Sequence, residues 1–107
     1  AFPAELVDRV TSLETEAGRP VARGAVLAET LAALDRRWRD LIEGRHDAIL
    51  DEWRRRAPAV VGAPVTWQTH LGTQYGTTAG VDRDGALLVR VGDRVERIVG
   101  GEVVWLS

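Results

Sequence analysis

The sequence predicts an α+β protein in which a helical segment precedes a small SH3-like β-barrel. Before Pro58, apolar side chains recur every three or four residues, which is the spacing of amphipathic helices. After Pro64, helix-forming residues give way to Thr, Val, Trp and Gly, in short runs separated by turn residues. Five short strands joined by tight turns favour a small barrel. We therefore expect a helical segment at 1–57, a linker at 58–63 and a barrel at 64–107.

The longest predicted helix covers residues 21–43. Five apolar residues follow one another there at steps of four, three, four and three, which places them on one face. These five, expected to face inward, are Leu27, Leu31, Leu34, Trp38 and Leu41. Charged residues cover the other faces of the helix, so the pattern predicts that the apolar stripe is buried.

Two further helical stretches flank the long helix. Residues 1–19 favour a helical turn and a short acidic helix, which Thr11 or Ser12 begins and Gly18 ends. Residues 45–57 predict a third helix that stops before a proline. Its inward residues are expected to be Ile49, Leu50, Trp53 and Ala57.

The stretch GVDRDGALLV, residues 80–89, predicts a β-hairpin. Asp84 and Gly85 form the turn, because glycine accepts the positive φ that a tight turn requires. The carboxylates of Asp82 and Asp84 are expected to accept hydrogen bonds from nearby backbone N–H groups. Gly76, inside the preceding strand, predicts a bulge or bend.

Composition excludes several kinds of chemistry. The chain has 107 residues, no cysteine and a net charge of −2, and all 14 of its basic residues are arginine. Disulfides, thiol chemistry and any cofactor bound through a lysine of this chain are therefore excluded. The near-neutral charge argues against direct nucleic-acid binding, which needs excess basic charge on one face. No apolar run approaches the roughly 18 residues of a membrane helix, so we expect no membrane contact and a cytoplasmic location.

No residues have the spacing of a self-contained catalytic or metal site. His46 and His70 are far apart in sequence, and we expect both on the solvated surface. The glycine-rich phosphate loops, the GxSxG elbow and the HExxH motif do not occur. Because the sequence begins with alanine rather than methionine, we expect a processed or excised piece. The residues alone predict a binding module or a dependent part of something larger.

Ordinary structural roles account for the arginine clusters and for most of the tryptophans. Two groups of arginines lie beside acidic residues on helices, which is typical of an ion-paired surface. They are Arg36, Arg37 and Arg39, and Arg54, Arg55 and Arg56. Trp38, Trp53 and Trp67 fall on inward positions and are expected in the core, while the environment of Trp105 is left open.

An ordered series of motifs resembles a known family. The series is FPAEL, TSL, E-x-G-R, an amphipathic helix, a tryptophan on the next helix, VGAPV, GVDRDGALLV and GGEV. It is similar to the C-terminal third of a bacterial biotin protein ligase, biotin–[acetyl-CoA carboxylase] ligase. The resemblance runs from about Phe2 to the chain end, and GVDxDGALL with GGEV is its most specific pair. It implies that the helical segment ends the catalytic domain and that the barrel is the C-terminal domain.

The resemblance implies an enzyme whose chemistry lies upstream of this chain. Such a ligase makes biotinyl-5′-adenylate from biotin and MgATP, then passes biotin to a lysine of a carboxyl-carrier protein domain. The GRGRRGR-like loop and the KWPND segment with its lysine are absent here. This chain alone is therefore expected to be inactive and to hold neither biotin nor MgATP. A homodimer of the parent is left open.

Two family features map onto residues of this chain. The segment before TSL folds over the adenylate as a hydrophobic lid in the family, and its apolar positions match Leu6 and Val10. Packing of both residues on a neighbouring helix is the alternative explanation. An arginine that ends the last strand in some members falls at Leu106 or Ser107, so this sequence departs from that pattern and no nucleotide contact is assigned.

Two other functions remain open. A stand-alone SH3-like interaction module would use Trp105 and Tyr75 as exposed aromatic residues for a peptide or protein partner. An RNA-binding small barrel is the weaker alternative, because a net charge of −2 counts against it.

Overall fold

A computed structural model describes residues 2–106, and the elements occur in the predicted order. A 3-10 turn at Ala4–Leu6 precedes the helices α1 (Leu13–Ala17), α2 (Arg23–Ile42) and α3 (His46–Arg56). A second 3-10 turn at Pro58–Val60 leads into β1 (Val61–Thr69), β2 (Gly72–Val81), β3 (Leu87–Val91), β4 (Arg94–Ile98) and β5 (Val103–Trp105). Helices followed by an antiparallel sheet make this an α+β fold, as predicted. None of the helices within 2–106 combines the length and apolar character needed to cross a membrane.

The chain divides into two units, one ending at Arg39 and one beginning at Asp40. We call them the helical unit and the sheet unit. The helical unit contains α1 and most of α2, and the sheet unit contains the last turn of α2, α3 and all five strands.

In the helical unit, α1 is short and depends on its caps. The Oγ of Ser12 accepts a hydrogen bond from the N–H of Thr15 at 3.1 Å. This satisfies a donor that the first turn of a helix leaves without a partner. Gly18 ends the helix in the left-handed region, with φ 65, as predicted.

The apolar stripe of α2 is exposed, so the prediction that it faces inward is wrong for this chain. The exposed fractions are 59% for Leu27, 55% for Leu31, 62% for Leu34, 58% for Trp38 and 45% for Leu41. The prediction that Trp53 on α3 lies in a core is also wrong, since it is 47% exposed. Amphipathic spacing identifies which face of a helix is apolar, but it does not supply the element that covers that face.

The sheet unit is built on five antiparallel strands in the order β4-β3-β2-β1-β5. The strands β4 and β5 are thus the two edges of the sheet. Residues paired directly across antiparallel strands point to the same face. Val65 pairs with Gly76 on one side and with Trp105 on the other, so all three lie on the inner face.

The core of the sheet unit is small and lies on that inner face. Val65 and Val89 are fully buried, and Trp67 is only 6% exposed. Partly buried apolar residues pack around these three: Leu87, Val91, Ile98 and Val103. The inward prediction for Trp67 is therefore confirmed.

Gly76 is required by space and not by a bulge. A Cβ at this position would lie 2.3 Å from Cγ1 of Val89 and 2.8 Å from the carbonyl oxygen of Arg90. Gly76 remains in register opposite Val65, so the predicted bulge is wrong at this position. The bulge of β2 against β3 lies between Thr78 and Gly80 instead.

Residues 58–63, assigned to a linker by the sequence, are tied to the sheet by one buried hydroxyl. Thr78 is 2% exposed, and its Oγ1 donates a hydrogen bond to the carbonyl of Ala59 at 2.8 Å. The same oxygen accepts from the N–H of Ala63 at 2.9 Å. This satisfies two backbone groups where β1 is irregular and its ladder is interrupted.

The predicted β2–β3 hairpin is present, and Asp82 closes it. Its Oδ1 accepts hydrogen bonds from the N–H groups of Asp84 at 2.9 Å and Ala86 at 3.0 Å. Gly85 has φ 88, as a tight turn requires. The second oxygen of Asp82 accepts from Nε of Arg97 on β4 at 2.5 Å. The carboxylate of Asp84 lies 3.6 Å from Nη2 of that same Arg97.

Candidate functional site

The two residues matched to an adenylate lid lie one turn apart in the helical unit. The carbonyl of Leu6 accepts hydrogen bonds from the N–H groups of Arg9 at 2.8 Å and Val10 at 3.1 Å. The bond between residues four apart is that of a helical turn, which brings their side chains to one side. Leu6 is partly buried and Val10 is 37% exposed. Neither side chain is fully buried by the residues that the structure describes, so the segment leaves an apolar pair accessible.

Residues of the TSL and E-x-G-R motifs fix the chain that follows this pair. The hydroxyl of Thr11 donates to Oε1 of Glu16 at 2.6 Å, which joins the two motifs. The carboxylate of Glu14 accepts from the N–H of Val21 at 3.1 Å and spans the connection from α1 to α2. The bond between Thr11 and Glu16 gives these two motif residues a local structural role.

The histidines form no metal site. His46 begins α3 and His70 lies in the turn after β1, and both are exposed, as predicted. No group of three or more His, Asp or Glu residues between positions 2 and 106 is arranged to hold a metal ion. We assign no metal-ligating role to either residue.

The arginine cluster of α3 is paired, as predicted. Nη2 of Arg55 donates to Oε1 of Glu52 at 2.7 Å, and Nε of Arg56 donates to the same oxygen at 2.7 Å. The hydrogen bonds from Arg55 and then Arg56 lower the pKa of Glu52 to about 2. The first cluster shows the same pattern, with Arg39 lying 3.1 Å from Asp35 one turn earlier. These pairs favour an ordinary charged surface over a phosphate site.

Arg54 has a second contact that the sequence did not predict. Its Nη1 lies 3.1 Å from Oδ1 of Asp51 on the same helix. Its Nη2 donates to the carbonyl of Val81, at the end of β2, at 2.8 Å. This partly buried bond joins α3 to the sheet, whereas helical spacing predicted only a solvent-facing ion pair.

An apolar groove of about 290 Å³ lies between α3 and one end of the sheet. Trp53 contributes one wall, and Trp105 at the end of β5 contributes another. Between them lie Val81, Leu87 and Ile98 from the inner face of the sheet. Tryptophans that are half exposed on an apolar surface are typical of interaction sites. The groove is a concave apolar surface of the sheet unit.

Trp105 and Tyr75 cannot act as one aromatic platform. Trp105 pairs with Val65 and lies on the inner face of the sheet. Tyr75 pairs with Thr66, the next residue along β1, and therefore lies on the opposite face. Both are exposed, at 46% and 66%, but only Trp105 lines the groove.

Comparison with known proteins accounts for nearly the whole chain. Over 102 residues it is 30% identical to the bifunctional ligase/repressor BirA of Bacillus subtilis strain 168, covering 95% of this chain and 31% of that protein. The protein of the same name from Bacillus spizizenii is 29% identical over 102 residues, with the same coverage. The chain resembles the C-terminal part of a bacterial biotin protein ligase. It thus spans about a third of the length of the curated relatives it matches. No protein-family model matches the chain.

The residues that carried the ligase resemblance are structural in this chain. GVDRDGALLV is the β2–β3 hairpin, and its aspartates face backbone N–H groups and Arg97. At the end of β5, Leu106 donates its N–H to the carbonyl of Pro64 at 2.9 Å. Ser107, the other position matched to the family's terminal arginine, lies outside the described residues.

Proposed function

We propose that this chain is the C-terminal segment of a biotin protein ligase. The parent enzyme would activate biotin with MgATP to biotinyl-5′-AMP and transfer biotin to a lysine of a carboxyl-carrier protein domain. The observation that carries the proposal is the match of 95% of the chain to the C-terminal part of a bifunctional ligase/repressor. A cytoplasmic location would accompany this function.

Within that enzyme, we assign residues 1–57 to the end of the catalytic domain and 64–107 to an SH3-like accessory domain, with 58–63 between them. The five antiparallel strands and their tight turns support the SH3-like assignment. The accessory domain would offer a surface to the carrier domain and would not bind nucleic acid itself.

Leu6 and Val10 would form part of a lid over the adenylate. Biotinyl-5′-AMP is a reactive mixed anhydride, and an apolar cover that excludes water protects such an intermediate from hydrolysis. Two accessible apolar side chains on a single turn suit this role, because they can pack over the adenylate when it binds. Ordering a segment in this way costs conformational entropy, which contacts with the ligand must offset.

The substitution Val10→Asp in the full-length gene product tests the lid. A carboxylate in the cover admits water, so we expect bound biotinyl-5′-AMP to be released or hydrolysed faster while the fold survives. Val7→Asp serves as the comparison, since it introduces the same residue at a 58% exposed valine of the same segment that is not matched to the lid. Retention of the adenylate can be followed by chasing radiolabelled adenylate with unlabelled biotin and ATP. Equal retention by both variants would remove Val10 from the lid.

The full-length gene product also tests the function as a whole. It should transfer biotin to a carboxyl-carrier domain in an ATP-dependent manner, and the 107-residue chain alone should not. Failure of the full-length protein with several carrier domains would reject the ligase assignment. Transfer by the 107-residue chain alone would mean that the chemistry lies within it.

The groove between Trp53 and Trp105 favours one alternative, a peptide-binding interaction module. An apolar peptide seated there should bind the 107-residue chain and lose affinity in Trp105→Ala. Tyr75→Ala, on the opposite face, should leave the affinity unchanged. Titration of a panel of apolar and proline-rich peptides, followed by calorimetry, separates this function from the ligase assignment. The absence of binding across the panel would argue against the module.

A further inference from the structure

Four large residues form a continuous apolar surface along α2, which we call the α2 face. It consists of Leu27, Leu31, Leu34 and Trp38. Each is between 55% and 62% exposed, and no residue of α2 is buried. Monomeric soluble proteins rarely leave so many large apolar side chains together in water, so a surface of this kind marks an interaction site.

The shape of the α2 face suits a partner element. A hollow of about 470 Å³ at one end is lined by Leu13 of α1 together with Val26 and Leu27 of α2. A second hollow of about 490 Å³ lies at Leu31, Leu34 and Trp38. Leu13 is itself 60% exposed, which extends the surface from α2 onto α1. An apolar segment lying along α2 would therefore find two concave contacts.

We propose that the α2 face is covered by a segment of the same polypeptide that lies N-terminal to residue 1. This inference rests on the proposed function. The matched region is the C-terminal part of the relatives and covers only 31% of their length. The unmatched part of such a protein is large enough to supply the covering element. It is also covalently attached, so it acts at a high effective concentration.

A second copy of this chain fits the face poorly. The stripe has the period of a coiled coil, in which opposite charges flanking the seam select the partner helix. Suppose that Leu27 and Leu34 occupy the same heptad position in the seam of a parallel dimer. Two kinds of residue pair between the copies then flank the seam: Thr30 with Asp35, and Arg37 with Ile42. Neither pair joins opposite charges, and Asp35 already lies 3.1 Å from Arg39 on its own helix.

Leu34→Asp, made in the full-length gene product and in the 107-residue chain, is the decisive comparison. In the full-length protein it places a charge in a covered interface, and we expect the melting temperature to fall by about 5 °C or more. In the 107-residue chain the same change meets water, so the unfolding of the sheet unit should not shift. Arg36→Asp introduces the same residue on the opposite side of α2 and should be tolerated in both proteins.

Hydrogen exchange of the unsubstituted proteins keeps the proposal testable if Leu34→Asp does not fold. Backbone amides of Leu27 to Trp38 should exchange at least tenfold more slowly in the full-length protein than in the 107-residue chain. Equal exchange rates would overturn the proposal. So would a 107-residue chain that is dimeric by light scattering and becomes monomeric with Leu34→Asp, if the full-length protein is unaffected by that change. None of these readouts uses biotin transfer, so an inactive but protected protein would reject only the ligase assignment.

Discussion

Trp67 and Trp38 show how differently the two units use the same kind of side chain. Both lie at apolar positions of a regular element, one on β1 and one on α2. Trp67 is 6% exposed and packs with Val65 and Val89, whereas Trp38 is 58% exposed. The sheet unit thus contains the partners of its own apolar residues. The helical unit presents them to solvent, and this difference suggests that only the sheet unit is stabilised by its own core.

The largest expected effect comes from replacing each of these two tryptophans with alanine, which tests the comparison directly. Trp67→Ala in the 107-residue chain should cost about 3–5 kcal/mol of unfolding free energy, because it removes a buried aromatic ring. Trp38→Ala should cost about 0.5 kcal/mol or less, as is usual for exposed positions. Urea unfolding followed by circular dichroism measures both without relying on tryptophan fluorescence. Similar costs for the two variants would mean that the helical unit has a core of its own.

A smaller effect is expected at the hydroxyl that ties 58–63 to the sheet. Thr78→Val keeps the shape of the side chain but leaves the carbonyl of Ala59 and the N–H of Ala63 without their partner. We expect a loss of about 1–3 kcal/mol of unfolding free energy. Thr77→Val, at the exposed neighbouring position of β2, is the control and should be nearly neutral. An equally small effect for both would show that water replaces the hydroxyl at this site.

The smallest effect is expected at the hairpin and depends on pH. The hydrogen bond from Arg97 holds the pKa of Asp82 below its usual value, although partial desolvation opposes this. A carboxyl group whose folded-state pKa is depressed stabilises the fold above its unfolded-state pKa, about 3.9 for Asp. That contribution is lost as the pH falls from there through the folded-state pKa. Urea midpoints measured from neutral to acidic pH should therefore fall less steeply for Asp82→Asn than for the unsubstituted chain.

Arg97→Gln tests the cause of that pH dependence. It removes the guanidinium donor but leaves the two backbone N–H bonds to Asp82 in place, so it should flatten the acid limb less than Asp82→Asn does. The double substitution should add little beyond Asp82→Asn alone, since that change already removes the titrating group. Additive effects would instead assign the pH dependence to other carboxyl groups.

Local signals in the sequence predicted most of the fold. The spacing of apolar residues identified α2 and α3, and capping residues identified α1. The alternating runs with their turn residues identified all five strands. Ser12, Gly18 and the Asp82 turn act through neighbours in the chain, so their roles could be predicted without knowing the tertiary structure. The number and spacing of those strands predicted a small barrel, and the structure shows the five strands as one antiparallel sheet.

Contacts between distant residues could not be predicted in the same way. The bond from Arg54 to the carbonyl of Val81 joins residues 27 positions apart, and helical spacing assigned that arginine to solvent. The prediction that the α2 stripe is buried was wrong, because burial of a helix face depends on whether another element covers it. For the candidate site, Leu6 and Val10 were assigned from the family resemblance alone. The groove at Trp53 could not be predicted, because it is formed by the packing of α3 against the sheet.

Gly76 and Gly85 predict two different kinds of mutational tolerance. At Gly85 the backbone has φ 88 but nothing lies within 4 Å of an added Cβ, so asparagine, which tolerates that φ, should be accepted in a saturation library. At Gly76 the limit is the carbonyl of Arg90, 2.8 Å away, and a backbone atom cannot move aside as a flexible side chain can. Every non-glycine codon at position 76 should therefore be depleted, alanine included. The stricter glycine of the sheet unit lies inside a strand, outside the GVDRDGALLV hairpin.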